Sequence, residues 1–141
     1  MQGLSILVVE HLPDAADSMS LLLEQWGYKP AVVYEGKQAL AIAPTLCLDV
    51  VFLDLDLPDR SGFEVARQLR QSPTTASSLL VTSSAYGRKE DIWRCKEAGI
   101  DLHFLKPADA EEIKEVLILW EQSLTSRCGK FADSGTSATS A

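Results

Sequence analysis

Five short apolar runs alternate along the chain with stretches in which apolar residues recur every three or four positions. Residues 4–9 are apolar apart from Ser5 and end on Glu10-His11, the pattern of a buried strand with a titratable pair at its carboxyl end. After Pro13-Asp14, Met19, Leu22, Leu23 and Trp26 share one helical face until Gly27 stops the pattern. Residues 29–34 predict a second strand, and residues 36–43 a short helix ended by Pro44. The strongest signal is Val50-Val51-Phe52-Leu53-Asp54-Leu55-Asp56-Leu57-Pro58, a strand buried on both faces with Asp54 where it runs out. Ser61 then predicts an N-cap, with Glu64 at capping-box spacing and Phe63, Val65, Ala66 and Leu69 forming the packing face. Residues 79–84 read as a strand with a hydroxyl-rich end, and residues 87–98 as a helix closed by Gly99. Residues 102–105 give a fifth strand ending in Lys106-Pro107, and Asp109 caps a last helix lined by Ile113, Val116, Leu117 and Trp120.

Strands alternating with helices of this length predict right-handed crossovers and an α/β domain, a doubly wound five-stranded parallel sheet. The apolar pattern fades from Ser123, so residues 1–122 are expected to form the domain and residues 123–141 a disordered tail. With 141 residues and a 46% hydrophobic fraction, a second folded domain does not fit. The net charge of -7 argues against direct binding to nucleic acid or an anionic membrane. No apolar segment approaches the roughly 20 residues of a membrane span and no basic leader opens the chain, so a cytoplasmic protein is expected. Cys47, Cys95 and Cys128 are odd in number and scattered, which predicts thiols rather than a disulfide framework or zinc site.

In an open parallel sheet, ligands bind outside the carboxyl ends of the strands. Those ends carry Glu10, His11, Asp54, Ser84 and Lys106. A carboxylate attacks phosphorus only when the incoming charge is neutralised, so such a site wants a divalent cation and a fixed ammonium. Glu10 is placed to serve the metal, Lys106 a phosphoryl oxygen, and Ser84 the attached phosphoryl group.

Leu7-Val8-Val9-Glu10, Phe52-Leu53-Asp54-Leu55-Asp56-Leu57-Pro58, Ser61-Gly62-Phe63-Glu64-Val65, Ser84, Ala98-Gly99 and Lys106-Pro107 occur in order. Together they resemble the response regulator receiver domain of bacterial two-component signalling. The resemblance implies the flavodoxin-like (βα)5 fold of the chemotaxis regulators, with strand order 2-1-3-4-5. It implies that Asp54 is the phosphoacceptor of a histidine kinase or histidine phosphotransfer protein in a phosphorelay, and that Lys106 contacts the phosphoryl group. Ser84 becomes the switch hydroxyl, in preference to the rival Thr82, which reads as a strand residue. Asp56 matches the position whose backbone carbonyl binds magnesium, alongside Glu10 and Asp54. Downstream partners are then expected on the face made by the fourth helix, fifth strand and last helix.

Two positions depart from the family pattern. His11 stands where a second acid usually ligates the metal, and neutral imidazole is a poor magnesium ligand. Weak magnesium binding is therefore expected, with manganese a possible substitute. His103 stands where the family often has an aromatic switch residue. A pseudo-receiver that binds partners without phosphorylation is the alternative. A dehalogenase-type phosphohydrolase, from the Asp54-x-Asp56 spacing, is weaker because no downstream acidic pair or cap is evident; a non-enzymatic signalling role is expected.

Overall fold

The computed structural model describes residues 4–84, 89–106 and 109–134, with 89–92 and 125–134 as backbone. The predicted alternation is realised as β1 (Ile6–Val9), α1 (Pro13–Gln25), β2 (Ala31–Val33), α2 (Gly36–Ile42), β3 (Val50–Asp54), α3 (Gly62–Gln71), β4 (Leu79–Ser84), α4 (Lys89–Glu97), β5 (Leu102–Leu105) and α5 (Ala110–Ser134), with a 3-10 turn at Ala43–Thr45. The five strands form one sheet in the order β2-β1-β3-β4-β5, every neighbouring pair parallel. Residues 1–108 and 109–141 are two compact units, and the whole sheet lies in the first.

Central position explains the apolar runs. β1 and β3 are buried at every residue, whereas β2 and β5, at the edges, are partly exposed. Leu7, Val9, Val51, Leu53 and Leu80 meet Ala39 of α2, Val65, Ala66 and Leu69 of α3 and Cys95 of α4 in one cluster. Each fully buried Val or Leu there contributes about 1.5–3 kcal/mol. In α1, Pro13 starts the helix, Ala16 and Leu23 are buried, and Gly27 closes it at φ 96°.

The turn after β3 sets where Asp54 sits. Asp56 and Ser61 form an isolated bridge, the Gly62 N–H donates to Leu55 O at 3.1 Å, and Ser61 Oγ accepts the Phe63 N–H. Ser61 is thus the predicted cap, although Glu64 turns towards Gln68 rather than closing a capping box. A Cβ on Gly62 would lie 2.6 Å from Leu55 Cα and 2.7 Å from Asp54 O, so backbone would have to move. Gly62→Ala is expected to lower the unfolding free energy by roughly 1–3 kcal/mol, read as a lower urea midpoint at unchanged m-value.

Two polar ties escaped the sequence reading because they join residues far apart in the chain. Asp59 accepts the N–H groups of Gly36 at 2.9 Å and Lys37 at 2.8 Å, capping α2 from the β3–α3 turn. Arg70, at the end of α3, donates to the carbonyls of Gly99, Ala76 and Ser78 and pairs with Asp101. Gly99 closes α4 at φ 84°, as expected of a left-handed C′ residue.

In the second unit, Asp109 caps α5 by accepting the Glu111 N–H at 2.9 Å. The helix continues past Ser123, where a tail was expected, as far as Ser134. No proline interrupts this stretch, and extending an existing helix costs far less than nucleating one. Residues 135–141 of the expected tail lie outside the described residues.

Candidate functional site

β1 and β3 are adjacent and in register from Ile6↔Val50 to Val9↔Leu53, so the residues that follow, Glu10-His11 and Asp54, emerge side by side. Asp54 is 1% exposed and Glu10 8% exposed, an unusual depth for two neighbouring carboxylates. Their partners account for it. Lys106 Nζ lies 3.4 Å from Glu10 Oε1 and 3.4 Å from Asp54 Oδ1. The Asp56 N–H donates to the same Asp54 Oδ1 at 2.9 Å. On the other flank, His11 Nδ1 is 3.0 Å from Asp54 Oδ2 and 3.9 Å from Glu10 Oε2. Since an ionised carboxylate only accepts, Nδ1 carries the proton in that contact.

Burial, followed by contact with Asp54, holds the Glu10 carboxyl above its ordinary value of 4.5, against the opposing pull of Lys106. Burial works to raise Asp54 too, but Glu10, the Asp56 N–H, Lys106 and His11 together bring it below its ordinary 3.8. On acidification the pair therefore takes its first proton on Glu10 while Asp54 stays ionised. The two groups have opposite effects on stability. The raised Glu10 favours the fold below about pH 4.5, and that contribution is lost as pH rises through its folded value. The lowered Asp54 contributes stability above about pH 3.8 that is lost as pH falls through its folded value. Glu10→Gln, keeping a hydrogen-bonding group beside Asp54, is expected to raise the melting temperature by a few degrees (about 2–5 °C) at pH 7.5 without divalent metal. The gain should vanish near pH 4, as melting curves at the two pH values would show.

The hydroxyl residues occupy a separate position. Asp54 pairs in register with Ser83, so Thr82 and Ser84 point to the opposite face, where Thr82 pairs with His103. His103 Nδ1 is 2.9 Å from Thr82 Oγ1, and its Nε2 is 3.4 Å from Ser84 Oγ. The imidazole thus bridges both hydroxyls, giving Thr82 a role beyond the plain strand residue expected. Thr82 and Ser84 are 1% and 4% exposed.

Glu10, His11, Asp54 and Lys106 are therefore brought together, with Asp56 contributing backbone while its side chain is exposed. Donor atoms of Glu10, His11 and Asp54 lie within 4.8 Å of one another. Two carboxylate oxygens suit a hard divalent cation; the imidazole supplies neither charge nor a hard oxygen. The residues fit magnesium as a site short of one oxygen ligand. Among the described residues, no helix is long and apolar enough to cross a membrane.

The family model of the response regulator receiver domain matches residues 6–118. Over 109 residues the chain is 34% identical to the response regulator ArlR of Staphylococcus saprophyticus, covering 77% of this chain and 48% of that protein. It is 33% identical over 108 residues to the DNA-binding dual master transcriptional regulator RpaA of Synechocystis, covering 77% of this chain and 45% of that protein. The chain thus spans about half the length of these curated relatives. Among solved structures, the receiver domain of the sensor histidine kinase PA1611 of Pseudomonas aeruginosa, with magnesium coordinated in its active-site cleft, superposes with a TM-score of 0.77 at 26% identity, covering 84% of this chain and 97% of that one. A CheY-like receiver domain from Methylobacillus flagellatus gives 0.72 at 31% identity, covering 83% and 98%.

Proposed function

The chain belongs to the response regulator receiver domain family, and on that premise we propose that it is a signalling receiver phosphorylated on Asp54. The observation that carries this reading is the setting of Asp54 Oδ1 at the end of β3, with the Asp56 N–H at 2.9 Å and Lys106 Nζ at 3.4 Å. A phosphohistidine of a histidine kinase or phosphotransfer protein supplies the phosphoryl group. The carboxylate oxygen forms the new bond to phosphorus as the bond to the donor nitrogen breaks, and the electron pair leaves with the imidazole. Lys106 offsets charge on the phosphoryl oxygens, while the buried walls of the pocket limit water. Glu10, Asp54 and the Asp56 carbonyl would hold magnesium, or manganese in its place, and the cation when bound neutralises phosphoryl charge. His11 makes that binding weak.

Ser84 is the proposed switch hydroxyl. Because it faces away from Asp54 and towards His103, its approach to the phosphoryl group requires the end of β4 to rearrange, releasing the bridge at His103. Output then runs through the α4 and β5 region, where Trp93, Leu102 and Leu105 are exposed, to a protein partner rather than to nucleic acid or membrane. The chain acts in the cytoplasm as a signalling module and turns over no substrate. Of the expected output face, α4 and β5 belong to the first unit and α5 to the second.

A second reading has one observation in its favour: His11 already occupies Asp54 Oδ2 at 3.0 Å. In it the chain is a pseudo-receiver that engages partners unphosphorylated. Intact mass after acetyl phosphate treatment, with magnesium, with manganese and with neither, separates the two. A gain of one phosphoryl mass that depends on the cation supports the receiver. No gain under any condition leaves the pseudo-receiver.

A further inference from the structure

The cleft divides its donor atoms into two groups. Lys106 faces Glu10 Oε1 and Asp54 Oδ1, whereas His11 Nδ1 faces the other oxygen of each acid, Glu10 Oε2 at 3.9 Å and Asp54 Oδ2 at 3.0 Å. One nitrogen and two carboxylate oxygens, from different residues, are thereby turned towards each other on the side away from the ammonium. Nδ1 is reached from the backbone through Cβ and Cγ, the same number of bonds as an aspartate Oδ, so His11 presents a donor where an aspartate would present oxygen.

One of the two separations already matches a coordination polyhedron. With metal–donor distances of about 2.0–2.2 Å, neighbouring donors lie about 3 Å apart in an octahedron and about 3.4 Å apart in a tetrahedron. At 3.0 Å the Nδ1–Oδ2 separation has the octahedral value, while Glu10 Oε2, at 3.9 Å from Nδ1, has to move in by about 0.5–0.9 Å to complete the set. Nδ1 is also the nitrogen that must be free to ligate. The neutral ring can carry its proton on Nε2 instead, and His11, with a side chain 32% exposed, lies open enough to exchange it with water.

We propose that the Glu10, His11 and Asp54 pocket is a site for a borderline divalent transition metal, cobalt, nickel or zinc, in which His11 Nδ1 is a direct ligand. This deepens the receiver reading and rests on it only in placing the metal beside Asp54. Imidazole suits these ions and not magnesium, so the substitution at this one position changes which cation the pocket selects. With the metal on Oδ2, Oδ1 remains beside Lys106 for the phosphoryl group. The available transition metal would then set how readily Asp54 is charged.

The probes are cobalt, zinc and magnesium alone, on the unphosphorylated protein. Cobalt titration followed by visible absorption should give a saturable signal, and His11→Ala should weaken it by about tenfold or more while changing magnesium affinity by less than about twofold. Nitrogen NMR of the wild-type histidine rings provides a reading free of any folding defect: zinc should shift Nδ1 of His11 and leave His103 in place. Equal losses for cobalt and magnesium in His11→Ala, unchanged cobalt affinity, or an unmoved His11 resonance in saturating zinc would each overturn the proposal. None of these readouts needs Asp54 to accept phosphate, so a protein that binds cobalt through His11 yet never gains phosphoryl mass would refute the receiver reading alone.

Discussion

Asp54→Asn is expected to remove phosphoryl acceptance altogether, with a rate at least about a thousandfold below wild type, since an amide oxygen is a feeble nucleophile. The substitution is nearly isosteric and can keep the Asp56 N–H on Oδ1, so the fold should survive. Among the described residues no neighbouring acid is placed to take over. Glu10 is still held towards its protonated form by burial, the largest cause of its raised value and one that outlasts the loss of the Asp54 charge, and Lys106 reaches only its Oε1. The Asp56 side chain is exposed, and its contribution to the cluster is a backbone N–H. Intact mass after acetyl phosphate treatment, with the modified residue located by peptide mapping, checks this. Phosphoryl mass gained by Asp54→Asn at the wild-type rate would show the acceptor to be another residue.

The same geometry shows why Asp54 was legible in the sequence and its surroundings less so. A buried central strand must be apolar on both faces, so an acid at its carboxyl end stands out against Val50 to Leu53. Lys106 and Glu10 were legible for the same reason, each ending an apolar run. The order of the strands and the choice of Ser84 over Thr82 came from likeness to a family, since periodicity carries no information on which strands are neighbours. Contacts across the sheet were hidden. The bridge from Thr82 through His103 to Ser84 depends on the register of β4 against β5, which places Thr82 opposite His103. Asp59 gave no signal as the cap of α2, because the usual cap lies in the adjoining sequence and Glu35, at that place, makes no side-chain cap. Helix α5 outran its expected end because fading amphipathicity reports the loss of a buried face rather than the loss of backbone hydrogen bonds.

His11→Asp is expected to tighten magnesium binding by at least about tenfold and to speed phosphorylation of Asp54 in magnesium. The aspartate oxygen falls at the Nδ1 position, where it meets Asp54 Oδ2 and Glu10 Oε2 at the separations His11 now shows, 3.0 and 3.9 Å. It adds a full negative charge and a hard oxygen to a site that has two carboxylates and one ammonium. A charged contact to a cation in a buried pocket is worth several kcal/mol, and at about 1.4 kcal/mol per tenfold even half of that exceeds tenfold. The gain has a cost without metal. Three carboxylates would share the pocket with Lys106, so the variant should melt below wild type in chelator and recover as magnesium is added, because ligand bound only by the folded state stabilises it. His11→Asn separates the two causes, supplying the oxygen without the charge, and should fall between wild type and His11→Asp. Magnesium titrations of the three proteins, followed by tryptophan fluorescence and by melting temperature, provide the measurement. Equal affinities would mean that His11 stands aside when magnesium enters and that Glu10, Asp54 and the Asp56 carbonyl suffice.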